Sequence, residues 1–146
     1  MIQTESGRYA LRAMTFMGSR GDPFAPVSAA EVAKEEGIPP HYLAKVLQDL
    51  VKGEVLTSVR GRGGGFMLSR PPDKIFVVEV LRAVEDVDTV LTECILGLEE
   101  CSDSTPCAMH DLWGGYRETL WNTLCTTTIS DLTREGLEAL RGTPES

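Results

Sequence analysis

The chain has no apolar run approaching the roughly 18 to 20 residues that a bilayer-crossing helix needs. Glu5, Arg8 and Arg12 interrupt the place where a secretory leader would be apolar throughout. Both absences point to the cytosol and to no membrane partner. Histidine is scarce, with two in 146 residues. There is no nucleophile elbow, metalloprotease motif or complete phosphate loop either, which leaves little from which to build an enzyme active site. Cysteines number four. In a cytosolic chain they serve as metal ligands, redox groups or core residues before they serve as structural disulfides. Basic residues are in the minority, 14 Lys+Arg against 22 Asp+Glu for a net charge of -8, a balance that taken whole argues against nucleic acid.

That average conceals two unlike halves. Residues 1–70 hold nine Lys/Arg and seven acids, giving +2, and residues 71–146 hold five and fifteen, giving -10. All four cysteines fall in the acidic half. With 42% apolar residues the chain can bury a core.

Along the basic half, Tyr9, Ala10, Ala13, Met14 and Met17 recur at helical spacing and predict a helix from Gly7 to Ser19, capped by Thr4 or Ser6. Gly21, Asp22, Pro23 and Pro26 predict a loop. Ser28 with Glu31 three residues on is a capping-box pattern opening a short helix that stops at Gly37. Pro39 and Pro40 suit the first turn of a third helix. In it Leu43, Val46, Leu47, Leu50 and Val51 form a buried stripe, leaving His41, Tyr42, Ala44, Lys45, Gln48 and Asp49 on or beside the other face. Short helix, glycine turn, second helix with a polar outer face is helix-turn-helix grammar.

Val55–Val59 and Phe66–Ser69 are β-prone runs separated by Arg60-Gly61-Arg62-Gly63-Gly64-Gly65. They predict a hairpin with a cationic, glycine-rich tip. A Walker loop would need Lys-Ser/Thr and a following helix, and a strand follows here. Placed directly after a helix-turn-helix, the hairpin reads as the wing of a winged helix, whose arginines reach phosphate or minor groove. The fold class expected is therefore mainly α with a small β-hairpin.

A short helix follows at Val77–Val84, then a loop without periodicity from about Glu85 to Pro106, long enough to require a purpose. A long helix is predicted from about Pro106 to Thr127. Its stripe of Met109, Leu112, Trp113, Tyr116, Leu120, Trp121 and Leu124 exceeds what the preceding domain can cover, so a partner helix from a second copy is expected. A last helix is expected from a Ser130 cap to Leu140, followed by a frayed tail over Arg141–Ser146. The domain organisation expected is a winged helix-turn-helix over 1–72, a connecting helix and cysteine-bearing loop over 73–105, and a dimerisation helix with a short terminal helix over 106–146.

Cys94, Cys101 and Cys107 are spaced Cys-x6-Cys-x5-Cys, and His110 follows as Cys-x2-His. Three thiols and an imidazole within seventeen residues can close round one metal or cluster. A helix starting near Pro106 would put Cys107 and His110 on one face. Zinc sites pair cysteines at shorter spacing, so an iron–sulfur cluster is favoured over zinc, and a metal-free thiol switch is the third possibility. Cys125, away from the group, is expected in the core.

Together these residues resemble the winged-helix transcription regulators of the IscR and NsrR type, bacterial iron–sulfur and nitric-oxide sensors. The resemblance covers nearly the whole chain. It is carried by Gly7-Arg8-Tyr9-Ala10, by Tyr42-Leu43 after Gly37-Ile38, by Ser58 to Phe66 in the wing, and by Cys94, Cys101, Cys107, His110 and Trp113. It implies a homodimer joined through the long helix and reading a palindromic site on double-stranded DNA. Pro40, His41, Tyr42, Lys45 and Gln48 would form the groove-facing surface, and Arg60 and Arg62 the wing contacts. It further implies a 2Fe-2S cluster on Cys94, Cys101, Cys107 and His110, with a 4Fe-4S cluster, zinc or no metal as the alternatives. In the NsrR branch an acidic residue near the partner's N-terminus completes the site; here Arg8 stands in that place, with Glu5 nearby, which favours the histidine-ligated version. The first cysteine gap is one residue longer than the family pattern. Ala44 replaces a glutamate that tunes operator choice in the IscR regulators, so operator preference does not carry over.

Overall fold

The computed structural model of the chain describes residues 4–98, 101, 103–104 and 106–134. Helix α1 (Glu5–Gly18) is capped by Thr4, whose side chain accepts from the Gly7 N–H, and it buries Ala10, Ala13, Met14 and Met17. Helix α2 (Ala29–Glu36) starts where Ser28 accepts from the Glu31 N–H and ends at Gly37, in the left-handed region at φ 63°. Helix α3 (Pro40–Lys52) buries Leu43, Val46, Leu47 and Leu50, half-buries Tyr42, Asp49 and Val51, and leaves Pro40, His41, Ala44, Lys45, Gln48 and Lys52 exposed.

Strands β1 (Leu56–Val59) and β2 (Gly65–Leu68) pair antiparallel, Leu56 opposite Leu68 and Val59 opposite Gly65. Val27 adds an isolated rung to β2, exchanging both backbone hydrogen bonds with Phe66 at 2.8 and 2.9 Å. That rung explains the third glycine of the Gly63-Gly64-Gly65 run. Gly65 has φ 144°, and a Cβ there would lie 2.3 Å from the Val27 carbonyl oxygen, so only glycine permits the approach.

Helix α4 (Val77–Val84) has the bounds the sequence predicts and is the most strongly one-sided element, burying Val77, Val78, Val80 and Leu81. Burial would push the Glu79 carboxyl up. The hydrogen bonds from Arg70 and the Phe76 N–H outweigh it, with the charges of Arg70 and Arg82 behind them, and hold it below the usual carboxylate range. The following loop is not featureless: Val87–Leu91 forms a 3-10 turn, with Val87 fully buried.

The long helix α5 is His110–Thr126 and begins four residues later than the sequence predicts. Pro106 lies in irregular backbone ahead of the helix, and Cys107 precedes α5, its carbonyl accepting from the His110 N–H at 3.0 Å. The expected shared helix face for Cys107 and His110 is therefore corrected. Helix α6 (Ile129–Leu132) is capped by Thr128, not Ser130; the expected continuation to Leu140 and the tail lie outside the described residues.

Ile75, Val80 and Ile129 join α1, α3 and the hairpin in one core, while α4 and the C-terminal part of α5 share a second cluster of Val77, Val78, Leu81, Val87 and Leu124, with Leu120, Trp121 and Cys125 half-buried against it. Cys125 thus lies at the edge of this cluster. The apolar stripe of α5 divides: Leu120, Trp121 and Leu124 turn inward, whereas Leu112 is 71% and Tyr116 51% exposed. A groove of about 270 Å³ runs beside them, lined by Ile95, Met109, Leu112, Trp113 and Tyr116.

Candidate functional site

Two surfaces carry chemistry. On α3, Pro40, His41, Lys45 and Gln48 are exposed along one side of the helix. Tyr42 is half-buried, its ring edge-on to Tyr9 at 5.2 Å between centroids and its hydroxyl 3.1 Å from Ser6 Oγ. It therefore braces α3 against the first turn of α1, with only part of its ring at the surface. Tyr9 in turn donates to Glu5 at 2.9 Å, and that hydrogen bond, then burial and the Glu5 charge, raise its phenol above the ordinary value. Beyond β1, Arg60 and Arg62 stand exposed at the wing tip and form no ion pair with any described residue; Lys45 likewise has none. An unpaired cation on a glycine-rich tip is free to meet an anionic backbone.

The second surface lies where the loop after α4 meets the start of α5. Cys94 is buried and Cys101 and Cys107 half-buried, and none of the cysteines forms a disulfide. Cys101 Sγ is 3.4 Å from His110 Nδ1, and His110 Nε2 is 2.8 Å from Asp103 Oδ1. Of the four expected ligands the structure brings Cys101 and His110 into contact. Among the described residues, no three His, Cys, Asp or Glu side chains converge as a metal site.

Arg117 joins this surface without having been expected from the sequence. It is 9% exposed, donates through Nη1 to the Leu91 carbonyl, and places Nη2 3.4 Å from Cys101 Sγ. One turn earlier Trp113 Nε1 donates to the Glu93 carbonyl at 2.6 Å. Sequence offers one signal: counting by four from Trp113, Arg117 is a charge set inside the apolar stripe of α5.

A helix-turn-helix whose second helix presents an open polar side, followed by an arginine wing, defines a winged-helix, DNA-binding transcription regulator. Comparison with known proteins gives the family. A family model described as Rrf2, iron-dependent transcriptional regulator, matches residues 3–135. The regulator IscR of Xenorhabdus nematophila is 36% identical over 135 residues, spanning 92% of this chain and 80% of that protein. Among solved structures, CymR of Staphylococcus aureus superposes with a TM-score of 0.69 at 26% identity, covering 90% of this chain and 97% of that one. CymR, the global cysteine regulator of B. subtilis, shares the fold with a TM-score of 0.76 at 24% identity over 91% and 96% of the two chains. The chain belongs to the Rrf2 family of transcriptional regulators, and its relatives are regulators rather than enzymes. No helix among the described residues is long and apolar enough to cross a membrane.

Proposed function

We propose that the chain acts as a homodimer on a palindromic operator in double-stranded DNA, and that an iron–sulfur cluster held by Cys94, Cys101, Cys107 and His110 switches its affinity. In this reading Pro40, His41, Lys45 and Gln48 face the major groove, with Tyr42 holding the helix in place from its partly covered edge. Arg60 and Arg62 meet phosphate or minor groove. The exposed Leu112 and Tyr116 and the groove beside them support a second α5 as the covering partner, because an apolar face of this kind marks an association surface.

The observation that carries the sensor reading is the contact of Cys101 with His110, with a buried guanidinium at the same sulfur. The donor set fits the group in kind: unpaired thiols, an imidazole, and Arg117, whose Nε is buried without a hydrogen-bond partner among the described residues. When bound, the cluster supplies a one-electron couple whose potential a histidine ligand raises above that of all-thiolate ligation. The chain's own part is to order the loop between α4 and α5. Glu85, at the end of α4, accepts from the Thr4 N–H at 3.3 Å, so the loop's origin is fastened to the start of α1, whose first turn touches Tyr42. A loop ordered in one state and released in the other would supply the differential free energy a switch requires.

Protein purified without oxygen should be red-brown, with visible absorption abolished on replacing Cys94, Cys101 or Cys107 by alanine. Colourless protein carrying one zinc per chain would move the site to a structural role, and colourless metal-free protein would move it to thiol chemistry.

A further inference from the structure

We propose that Arg117 is the positioning residue of the cysteine site: it pins both ends of the Cys94-bearing segment, Leu91 and Cys101, to α5 and supplies the positive charge at the Cys101 sulfur.

Three observations lead there. A guanidinium is always charged and offers five donors in a fixed fork, and this one is nine-tenths buried. Burying a cation costs several kcal/mol unless an anion or a full set of acceptors compensates it. Arg117 has no carboxylate partner among the described residues; its acceptors are the Leu91 carbonyl and Cys101 Sγ, and Nε has none. Among its described contacts, the group that can carry a compensating negative charge is the Cys101 sulfur.

The second observation is geometric. Leu91 and Cys101 are the two ends of the segment bearing Cys94, and that segment closes on itself through the Cys101 N–H to the Thr92 carbonyl at 3.3 Å. One side chain thus grips both ends, and Trp113, one turn away on α5, grips the Glu93 carbonyl between them. The third is chemical. Three thiolates exceed the charge of a 2+ metal or cluster core by one, so a cation at one of the sulfurs offsets the net negative charge of the loaded site.

The tether stands on the hydrogen bonds alone, whereas the charge role rests on the cluster reading above. The test separates them. In metal-free full-length protein, amide exchange over Thr92–Leu98 should speed up roughly ten- to a hundredfold in Arg117→Met, which keeps the packing but removes the hydrogen bonds from a charged donor. Arg117→Lys, which keeps one point charge without the fork, should fall between the two and guards against failure of the Met variant to fold. In anaerobically reconstituted protein, Arg117→Met should shift the midpoint potential to more negative values, and Arg117→Lys should restore part of the shift. Unchanged exchange in the metal-free Met variant would overturn the tether, and an unchanged potential would overturn the sulfur contact. Wild-type protein that takes up no cluster would instead overturn the cluster reading and with it the charge role, while leaving the exchange result to decide the tether.

Discussion

Replacing Gly65 with alanine should weaken the fold through one identifiable contact. At φ 144° an L-residue sits in a region nearly reserved for glycine, which costs about 1 to 3 kcal/mol. The added Cβ would also fall 2.3 Å from the Val27 oxygen and 2.6 Å from the Val27 carbonyl carbon. Both are backbone atoms, so no side chain can swing away, and relief means moving Val27 off Phe66. That forfeits two hydrogen bonds of 2.8 and 2.9 Å, each worth about 0.5 to 1.5 kcal/mol. The total is roughly 2 to 6 kcal/mol, a large share of the 5 to 15 kcal/mol typical of a domain. Gly61→Ala is the control: φ is 92°, yet nothing lies within 4 Å of its Cβ, so it bears the backbone strain alone. Guanidinium titration followed by circular dichroism should give a lower midpoint for Gly65→Ala than for Gly61→Ala, at unchanged slope. Equal midpoints for the two variants would mean that the clash with Val27 contributes nothing.

Other perturbations follow from the same geometry. Glu54 is the sole non-glycine at positive φ among the described residues, at 63°, so Glu54→Gly should raise stability by up to about 1 kcal/mol in the same titration. Gly53→Ala should lower it by about 1 to 3 kcal/mol, because its Cβ would meet Ala83 Cβ at 2.6 Å. The Glu79 carboxyl is held below its ordinary value of 4.5, so its contribution is present above that pH and disappears as the pH falls through the lowered value. Glu79→Gln should therefore be destabilising at neutral pH and converge on wild type in acid, as thermal melts across pH would read out. Arg62→Ala should weaken DNA binding and lower the salt slope by about 0.9 for each phosphate that is no longer neutralised. Identical binding at every salt concentration would remove the wing from the interface.

How much of this is legible in the sequence depends on whether the determinant is local. Ser28, Gly37 and the apolar stripe of α3 act within one or two turns, and α2 and α3 appear where those residues put them. The bounds of α4 follow from its dense apolar stripe. The start of α5 is not legible, because Pro106 is compatible with a first helical turn as well as with the irregular backbone it occupies, and nothing local decides between them. Val27 gives no strand signal, since a single rung has no periodicity. At the candidate site, the spacing of Cys94, Cys101, Cys107 and His110 picks out the segment, but the grip of Arg117 on Leu91 and Cys101 spans 26 and 16 residues. Such a grip exists only once α5 has docked. Tyr42 shows the same limit: its place on the helix is readable, whereas its bracing against Ser6 and Tyr9 is tertiary.

Coupling of the cysteine–histidine site to DNA binding can be read in one titration. Duplexes selected from a random pool by anaerobically loaded protein would be titrated with loaded wild type, chelator-stripped wild type and Cys101→Ala at one salt concentration. Stripped protein and Cys101→Ala should bind alike, and both should differ from loaded wild type by at least about fivefold, the lower end of ordinary allosteric coupling at about 1 kcal/mol. Equal affinity of all three for the same duplex would contradict that coupling, leaving a winged-helix regulator whose cysteine site does not govern its operator.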